Sequence, residues 1–503
     1  MALANIRSRL YPSKRRAFWV LSILIALCII AVAVVHHFWP FTESGVRNRL
    51  AEATSAHVEF GAFHEKYFPP GCVAENVVFR QQGDESPVLT IQRLDIRSGS
   101  IKLFSHHVSL IRADGLRLVL KKTVFKSTRT PEQDTTVDKL VGDDAELEVQ
   151  RGNQAPLQFH FHQFRLENLG ENGSTHFAAV FDNPLPRGLI STSGEFGPWN
   201  KSNPAATPVS GKYSLEHADL SVFGSIAGIL SSVGDFKGTF KNIDVKGTTN
   251  APDFQLTNTK HGLPLQTQFN ATVNATAGDT ILKSIQAKFG KDQIEAHGSF
   301  NRGADGKRLA VVDLECKQGR IEDTFYPFIN ASVSPLTGSV AFTMHVAIRG
   351  GKEQFVKRLQ LKSDFRIRDA RFTNMQTQTR LQKISEQPGQ KDPGNSQESE
   401  PVDLAGRVTA SDGTAQFTEL TAHDQNASAQ LRGTYSLVTE RVDMHGKLAT
   451  RASLTKTTSG IKAAFAKAIE PFFKKTHDEK IIPVKISGTF HHPNFGLDLT
   501  SKM

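Results

Sequence analysis

Apolar and polar residues alternate with a period of two over most of the chain beyond residue 40. The clearest case is LQLKSDFRIR at residues 359–368, where alternate side chains fall on one face of an extended strand. The apolar ones are Leu359, Leu361, Phe365 and Ile367. The same alternation occurs at residues 157–162, 294–300 and 442–448, and turns rich in Gly, Asn, Asp and Pro separate such segments. The pattern predicts a mainly β protein whose antiparallel sheet has one apolar and one polar face.

Two pairs of segments repeat along the chain. Residues 278–300 align without a gap on residues 413–435, and the glycines and the final aromatic residue are retained. The Gly-Thr, Pro and Phe-x-Leu of residues 247–256 recur at the same spacing in residues 488–497. We interpret each copy of this second pair as a strand, a turn and a strand. The sheet is therefore predicted to extend by repetition of similar units.

A glycine precedes an aromatic residue by two positions at several strand ends. The pairs are Gly211 and Tyr213, Gly238 and Phe240, Gly298 and Phe300, Gly433 and Tyr435, and Gly488 and Phe490. Each glycine removes a side chain beside a large ring, which permits bending or close backbone approach. We expect an elongated sheet curved around its apolar face. The same pairs also occur in any β-rich protein with glycine-flanked strands.

A few segments depart from the strand pattern. Short helices are predicted at residues 43–54 and 222–233, and an amphipathic helix at residues 460–475 either caps the sheet or lies against a membrane. Residues 126–138 and 385–400 are almost free of apolar side chains, which favours disordered loops.

The N-terminus predicts a membrane anchor. Residues 1–16 contain five basic residues and no acid, and residues 17–35 carry no charge, which is about the length that crosses a bilayer. The basic flank should stay in the cytoplasm and the bulk of the chain on the other side. The anchoring side chains would be Phe18, Trp19, Leu21, Leu24, Leu27 and Ile30, with Trp39 at the outer interface. A signal peptide cleaved near the AVA at residues 31–33 is the alternative.

Composition and charge exclude two classes of protein. A hydrophobic content of 39% is too high for a disordered chain. The net charge of +10 falls to about +5 beyond the first 16 residues, and no basic run is interleaved with stacking aromatics. We therefore expect no nucleic-acid partner.

No catalytic or metal-binding motif appears, so we predict no enzyme and no cofactor. The paired histidines, such as His160 and His162, lack a metal-ligand spacing. Asp143 and Asp144 are expected in a solvated turn. Cys28 lies in the apolar N-terminal run, so the one disulfide left open pairs Cys72 with Cys316.

Several stretches resemble the AsmA-like family of bacterial envelope proteins. After the anchor they are VRNRLAEATSAHVEFGAF, PPGCVAENVVFR and VLTIQRLDIRSGSIKLFSHHVSLIRADGLRLVL, and later VSGKYSLEHADLSVFGSIAGILSSVGDFKGTF through PVKISGTFHHPNFGLDL. The resemblance covers most of the chain, but it consists of spacing patterns with little chemistry. Residues 121–155 and 385–400 depart from the family's pattern.

The resemblance implies a domain organisation. Its parts are a cytoplasmic basic tip (1–16), a transmembrane helix (17–38), an N-terminal β region (40–125), a variable loop region (126–155), a repetitive β-groove (156–384), a disordered loop (385–400) and a C-terminal β region (401–503).

The resemblance also implies a function. The protein would sit in the inner membrane with its bulk in the periplasm, carry phospholipids between the inner and outer membranes, and contact an outer-membrane or periplasmic protein. The residues expected to line its lipid path are Phe159, Phe161, Ile294, Phe300, Leu359, Leu361, Phe365, Ile367, Tyr435 and Met444. Two alternatives stay open: these residues form an ordinary closed core, or the protein is a scaffold that assists assembly of outer-membrane proteins without carrying lipid.

Overall fold

The computed structural model describes most of the chain beyond residue 38. The described residues are 39–99 except 82, 84 and 85, 107–120, 136–151, 154–170, 173–257 except 201 and 225, 261–302 except 277, 307–324, 334–373 except 335 and 352, 401–423, 427–450, 480–489 and 492–498. They form mainly strands with few helices, as the sequence predicts. The chain divides into two compact units, residues 1–175 and 176–503.

The described part of the first unit has one helix, α1 (Glu43–Thr54), and eight strands. The strands are β1 (His57–Glu59), β2 (Ala62–Lys66), β3 (Gly71–Arg80), β4 (Pro87–Arg97), β5 (His107–Val108), β6 (Leu110–Leu120), β7 (Thr136–Arg151) and β8 (Gln154–Leu169). Strands β1 and β2 both pair with β3, which continues to β4 and β6 in antiparallel order. Strand β7 runs parallel to β5 and β6 and antiparallel to β8.

Helix α1 confirms the helix predicted at residues 43–54. The Thr42 hydroxyl accepts a hydrogen bond from the Gly45 N–H at 3.3 Å and caps its first turn, and Ser55 ends it in the left-handed region with φ of 52°. Val46 of α1 is buried against the sheet. The core of this unit consists of Trp39, Phe41, Val46, Val58, Cys72, Ala74, Val77, Phe79, Ile91, Leu94, Ile96 and Ala113. The first unit therefore has a helix over its sheet and a closed core.

The second unit continues as a meander of strands. They are β9 (Thr175–Pro184), β10 (Arg187–Phe196), β11 (Pro208–Asp219), β12 (Ile226–Ala227), β13 (Ile229–Thr239), β14 (Asn242–Leu256), β15 (Gly262–Asn274), β16 (Asp279–Phe289), β17 (Asp292–Arg302), β18 (Arg308–Arg320), β19 (Leu336–Arg349), β20 (Leu359–Phe372), β21 (Val402–Ser411), β22 (Thr414–His423), β23 (Ala427–Ser436), β24 (Arg441–Thr450), β25 (Lys480–Thr489) and β26 (Pro493–Leu497). From β13 onward each strand pairs antiparallel with the next, while β11 pairs with β13 and the short β12 with β14. The described helices here are α2 (Ile321–Thr324) and α3 (Phe355–Arg358), besides two 3-10 turns. The sheet is open and curved.

The repeat predicted at an offset of 135 is present in the backbone. Residues 278–300 form the β16–β17 hairpin and residues 413–435 form the β22–β23 hairpin. In the first hairpin the register shifts between Leu282 and Ile285, and in the second it shifts between Phe417 and Leu420, at the equivalent positions. The two segments therefore share an irregularity as well as a sequence pattern.

The predicted loop region at residues 126–155 is wrong for residues 136–151, which form β7. The apolar alternation there breaks at Gly142 and resumes at Ala145, three positions later and therefore at the opposite parity. Asp144 lies between them with φ of 53°, which turns the strand over and switches its apolar residues to the other parity. Each half was therefore too short to indicate a strand by itself.

Two other local predictions also fail. Residues 222–233 are not a helix: after a 3-10 turn, Gly224 and Gly228 take positive φ and the chain enters β12 and β13. Residues 247–256 do not form a strand, a turn and a second strand, because the single strand β14 runs through them. The register shifts after Ala251, so Pro252 lies where no ladder hydrogen bond is needed. The matching residues 488–497 do form a hairpin, between β25 and β26.

The predicted transmembrane helix at residues 17–38, the loop at 385–400 and the amphipathic helix at 460–475 lie outside the described residues. Among the residues that are described, no helix is long and apolar enough to cross a membrane.

Candidate functional site

One face of the second unit's sheet is free of charge along a continuous row of residues. Ladder partners in an antiparallel sheet lie opposite each other on the same face, so the register defines such a row. From β10 to β26, the row is Gly194, Gly211, Phe236, Val245, Ala271, Leu282, Gly298, Val312, Val346, Leu361, Ala410, Ala415, Tyr435, Val442, Gly488 and Pro493. At about 4.8 Å per strand its contour is roughly 70 Å long. We name the side of the sheet that carries this row the apolar face.

Eight of the ten residues predicted to line a lipid path lie on the apolar face. They are Ile294, Phe300, Leu359, Leu361, Phe365, Ile367, Tyr435 and Met444. The other two, Phe159 and Phe161, belong to β8 of the first unit, where they lie opposite Leu147 and Ala145. Alternation within each strand, together with the ladder register, brings the eight residues to one side.

The apolar face is only partly covered. Phe300 is 43% exposed, whereas Ile367 and Met444 are buried and the other predicted residues are half-buried. Ile367 packs in a cluster with Cys316, Ile321, Val340, Phe342 and Ala370, in which Ile321 comes from the four-residue helix α2. Among the described elements, no second sheet or long helix lies over this face, in contrast to the first unit with its helix α1.

Two serine side chains on the apolar face are hydrogen-bonded within the protein. The Ser363 hydroxyl donates to the Thr343 carbonyl at 2.9 Å, and the Ser232 hydroxyl donates to the Thr248 carbonyl at 3.0 Å. Burial raises the pKa of Tyr213 and of Tyr435, so both phenols stay neutral. These groups offer little charge or free hydrogen-bonding capacity to a ligand.

The sheet folds toward its apolar face at glycines. A Cβ on Gly446 would lie 1.9 Å from the Gln430 carbonyl oxygen, and one on Gly194 would lie 2.0 Å from that of Ser210. At these points the backbone of the neighbouring strand therefore occupies the space that a side chain would take on the apolar side. Elsewhere an aromatic ring covers the glycine opposite it, as Phe365 covers Gly406. These contacts agree with the curvature that the glycine and aromatic pairs predict.

An aromatic cluster that sequence reasoning missed lies at the β10 end of the apolar face. Phe196 contacts Phe177, Trp199 and Phe240 with ring centroids 6.3 to 6.5 Å apart, and Phe177 stacks on Phe236 at 6.5 Å. Trp199 and Phe240 stand in turns, where period two does not apply. The spacing of Gly238 and Phe240 was the one available signal.

The opposite face of this sheet is polar. His345 Nδ1 lies 2.6 Å from the Asp313 carboxylate, with His297 3.6 Å away, and Arg407 hydrogen-bonds Asp364 at 2.7 Å. Cavities of about 780 and 550 Å³ open here, each lined by a mixture of charged, uncharged polar and apolar residues. We do not place the functional site there, because the charged groups named above are already paired with one another.

Potential catalytic and metal-binding groups are dispersed. His160 and His162 contact edge to face at 5.0 Å, and Asp143 accepts a hydrogen bond from Arg112 at 2.9 Å. Asp143 and Asp144 lie in strand β7, not in a turn. Within the described part of the chain, no group of three His, Cys, Asp or Glu side chains could hold a metal ion.

Both described cysteines are free thiols, so the disulfide left open by the sequence is absent. Cys72 is buried in the core of the first unit, and burial raises its pKa to about 12. Cys316 is buried in the cluster around Ile367, and burial raises its pKa as well.

Trp39 is buried in the core of the first unit, where its ring lies 4.9 Å from that of Tyr67. Its indole therefore packs against protein, and its predicted place at the outer membrane interface stays a prediction. The other predicted anchor residues lie outside the described part of the chain.

Asp292 is a buried carboxylate at the start of β17. It is 4% exposed and accepts hydrogen bonds from the Arg320 N–H at 3.0 Å and from the Thr324 hydroxyl. Burial raises its pKa in spite of these two bonds. The native fold therefore favours the protonated acid more than the unfolded chain does.

We expect the stability of the native protein, relative to that of an Asp292→Asn variant, to fall as pH rises. A folded-state pKa above the unfolded value gives stability at low pH that is lost as pH rises through the folded pKa. The measurement is hydrogen exchange of β17 and β18 in both proteins at roughly pH 4 and pH 7, corrected for intrinsic rates. Asp235→Asn, at an exposed carboxylate of β13, is the matched control. A pH-independent difference would contradict the prediction.

Comparison with known proteins gives no match: neither a protein-family model, nor a curated protein, nor a solved structure is similar to this chain.

Proposed function

We propose that this protein is an AsmA-like, inner-membrane-anchored protein of the bacterial envelope that carries phospholipids between the inner and outer membranes. In this role it would contribute to outer-membrane homeostasis. Its apolar face shields the acyl chains, and the head groups stay in water at the edge of the sheet. The observation that carries the proposal is the uncharged row that crosses the second unit from β10 to β26.

The energetics of acyl transfer support this role. Each methylene removed from water is worth about 0.8 kcal/mol, so a chain that leaves a bilayer needs apolar surface along its whole path. A single charged residue in the row would interrupt such a path. The row has none, and its polar neighbours Ser232 and Ser363 are hydrogen-bonded internally. Movement along the face then needs no catalyst, and its direction would have to come from a partner.

The openness of the apolar face distinguishes lipid carriage from the alternative in which the same residues form an ordinary closed core. A sheet with one apolar side must cover that side with protein or with something else. In the first unit helix α1 provides the cover, whereas the described elements over the second unit are far smaller. Phe300 is 43% exposed on the apolar face, in a position to contact a bound chain.

The test is photo-crosslinking of the full chain in living cells whose phospholipids carry radioactive phosphate. The photoreactive residue p-benzoylphenylalanine replaces Phe300, and in a matched control it replaces Ile281, which is 54% exposed on the polar face of the adjacent strand. We expect labelled phospholipid on the chain crosslinked at position 300 and none at position 281. Equal labelling at both positions, or none at 300, would contradict the proposal.

A charge placed in the row should interrupt the path. Leu361→Asp is expected to lower crosslinking at position 300 by roughly tenfold. An acyl chain that passes the unpaired carboxylate loses free energy, and a loss of only about 1.4 kcal/mol is a factor of ten. Gln360→Asp introduces the same residue on the polar face of the same strand and should leave the yield unchanged. If crosslinking is absent from a correctly folded protein, the scaffold becomes the better explanation.

A further inference from the structure

The turn at residues 67–70, between β2 and β3, exposes aromatic side chains at its tip. Phe68 is 92% exposed and Tyr67 is 52% exposed, and the adjoining Pro69 is exposed as well. Single exposed apolar residues are common on proteins, but two adjacent aromatic rings and a proline at the tip of one turn are a concentrated apolar surface. The closed core of the first unit does not use Phe68.

The base of this turn is held rigidly. The Ser98 N–H donates to the Pro70 carbonyl at 2.8 Å, and Gly71 lies so close to β4 that a Cβ there would meet the Ile96 carbonyl oxygen at 2.1 Å. The base of the turn is therefore fixed to β4, and the exposed rings lie directly beside this fixed base.

The charges around the turn are paired at its base. Asp95 is buried and bonds Arg97 at 2.7 Å and Lys66 at 3.4 Å, while the Tyr67 hydroxyl donates to Glu65 at 3.0 Å. Residues 67–70 themselves carry no charge. An uncharged aromatic tip above a polar base is the arrangement that suits the interface between a bilayer and water, where Tyr and Trp concentrate.

The position of the turn in the chain indicates which surface it meets. Tyr67 contacts Trp39, the first described residue, with ring centroids 4.9 Å apart. Trp39 directly follows residues 17–38, the transmembrane segment that the sequence predicts. The chain would therefore leave the bilayer beside this turn.

We propose that the 67–70 turn is a second contact with the membrane, in which Phe68 and Tyr67 enter the lipid interface next to the anchor. The proposal rests on the membrane anchorage in the proposed function. A chain held by one helix can rotate about it, whereas a second contact on a rigid turn fixes the orientation of the first unit at the bilayer surface. The partner is the lipid surface itself, since the tip is apolar and uncharged.

The test measures the depth of position 68 in a bilayer. Full-length protein with Phe68→Cys and Cys28→Ser is labelled with an environment-sensitive nitrobenzoxadiazole dye and reconstituted into phosphatidylethanolamine and phosphatidylglycerol vesicles. Cys72 and Cys316 are buried and should not react. Lipids that carry a spin-label quencher near the head group should remove most of the fluorescence from position 68.

The control label is placed at Gln81, which is exposed at the other end of β3, about 30 Å away along the strand. Fluorescence at position 81 should be unaffected by the quencher. No quenching at position 68 would overturn the proposal. Blue-shifted emission at 68 without quenching by lipid would also overturn it, because the turn would then be covered by protein.

The outcome is separable from that of the lipid-carriage experiment. Quenching at position 68 with no crosslinking at position 300 would retain the membrane contact and reject carriage. Crosslinking at position 300 without quenching at position 68 would retain lipid carriage and reject the membrane contact of the turn. If alkaline extraction releases the protein from the vesicles, the anchor is wrong, and the turn's membrane contact is overturned with it.

Discussion

Replacement of Ile367 by aspartate is expected to open the middle of the second unit's sheet. Ile367 is 6% exposed and packs among apolar side chains, with Val340 and Leu404 as its ladder partners. Loss of a buried isoleucine side chain costs about 2–5 kcal/mol, and burial of a carboxylate without a partner adds to it. We expect a loss of at least about 4 kcal/mol in local stability.

Hydrogen exchange measures this effect strand by strand in the full chain. Amides of β19, β20 and β21 should exchange roughly a thousandfold faster in Ile367→Asp, since each 1.4 kcal/mol is a factor of ten. Gln360→Asp places the same residue on the exposed polar face of the same strand and should shift exchange by about twofold at most. Equal protection in the two variants would show that the apolar face is not the buried side.

The position of the apolar face could be predicted from sequence because alternation is a local property. Within β20, Leu361 and Ile367 share a face whatever lies beside the strand. The same reasoning placed Tyr435 and Met444 on apolar faces of their own strands. The structure adds that all these faces coincide, which depends on the ladder register between strands.

The failures occur where one residue changes the parity of a strand. Asp144 with its positive φ turns β7 over, so its two short apolar runs did not indicate one strand. In β14, a register shift after Ala251 absorbs Pro252 without a turn, although the related residues near Pro493 do turn. Local sequence cannot distinguish a bulge from a turn there, because the outcome depends on whether the partner strand continues.

Sequence analysis also misses sites in turns that contain no catalytic or ligand-binding motif. The aromatic cluster around Phe196 and the exposed Phe68 lie at strand ends, where no period identifies an orientation. The signal for the second was the run Tyr-Phe-Pro-Pro itself, an uncharged and aromatic turn. A search for apolar turns would have found it.

The repeat makes a second strong prediction, at two equivalent glycines. Gly298 of β17 and Gly433 of β23 are separated by 135 residues, and each faces the backbone of the next strand. A Cβ on Gly298 would lie 2.2 Å from the Val311 carbonyl oxygen, and one on Gly433 would lie 2.1 Å from that of Asp443. Because the obstacle is backbone, an alanine must push the neighbouring strand away from the apolar side.

We expect Gly298→Ala and Gly433→Ala each to lose about 1–3 kcal/mol of local stability, as overpacked sites do. Exchange should accelerate roughly tenfold to a hundredfold, in the β17–β18 ladder for the first variant and in the β23–β24 ladder for the second. The two effects should add in the double variant, since the sites share no partner. Gly496→Ala, in β26 with open space around its Cβ, is the control and should change little. If Gly298→Ala is as harmless as Gly496→Ala, the close approach of β17 and β18 is wrong, and the curvature of the sheet must come from a source other than its glycines.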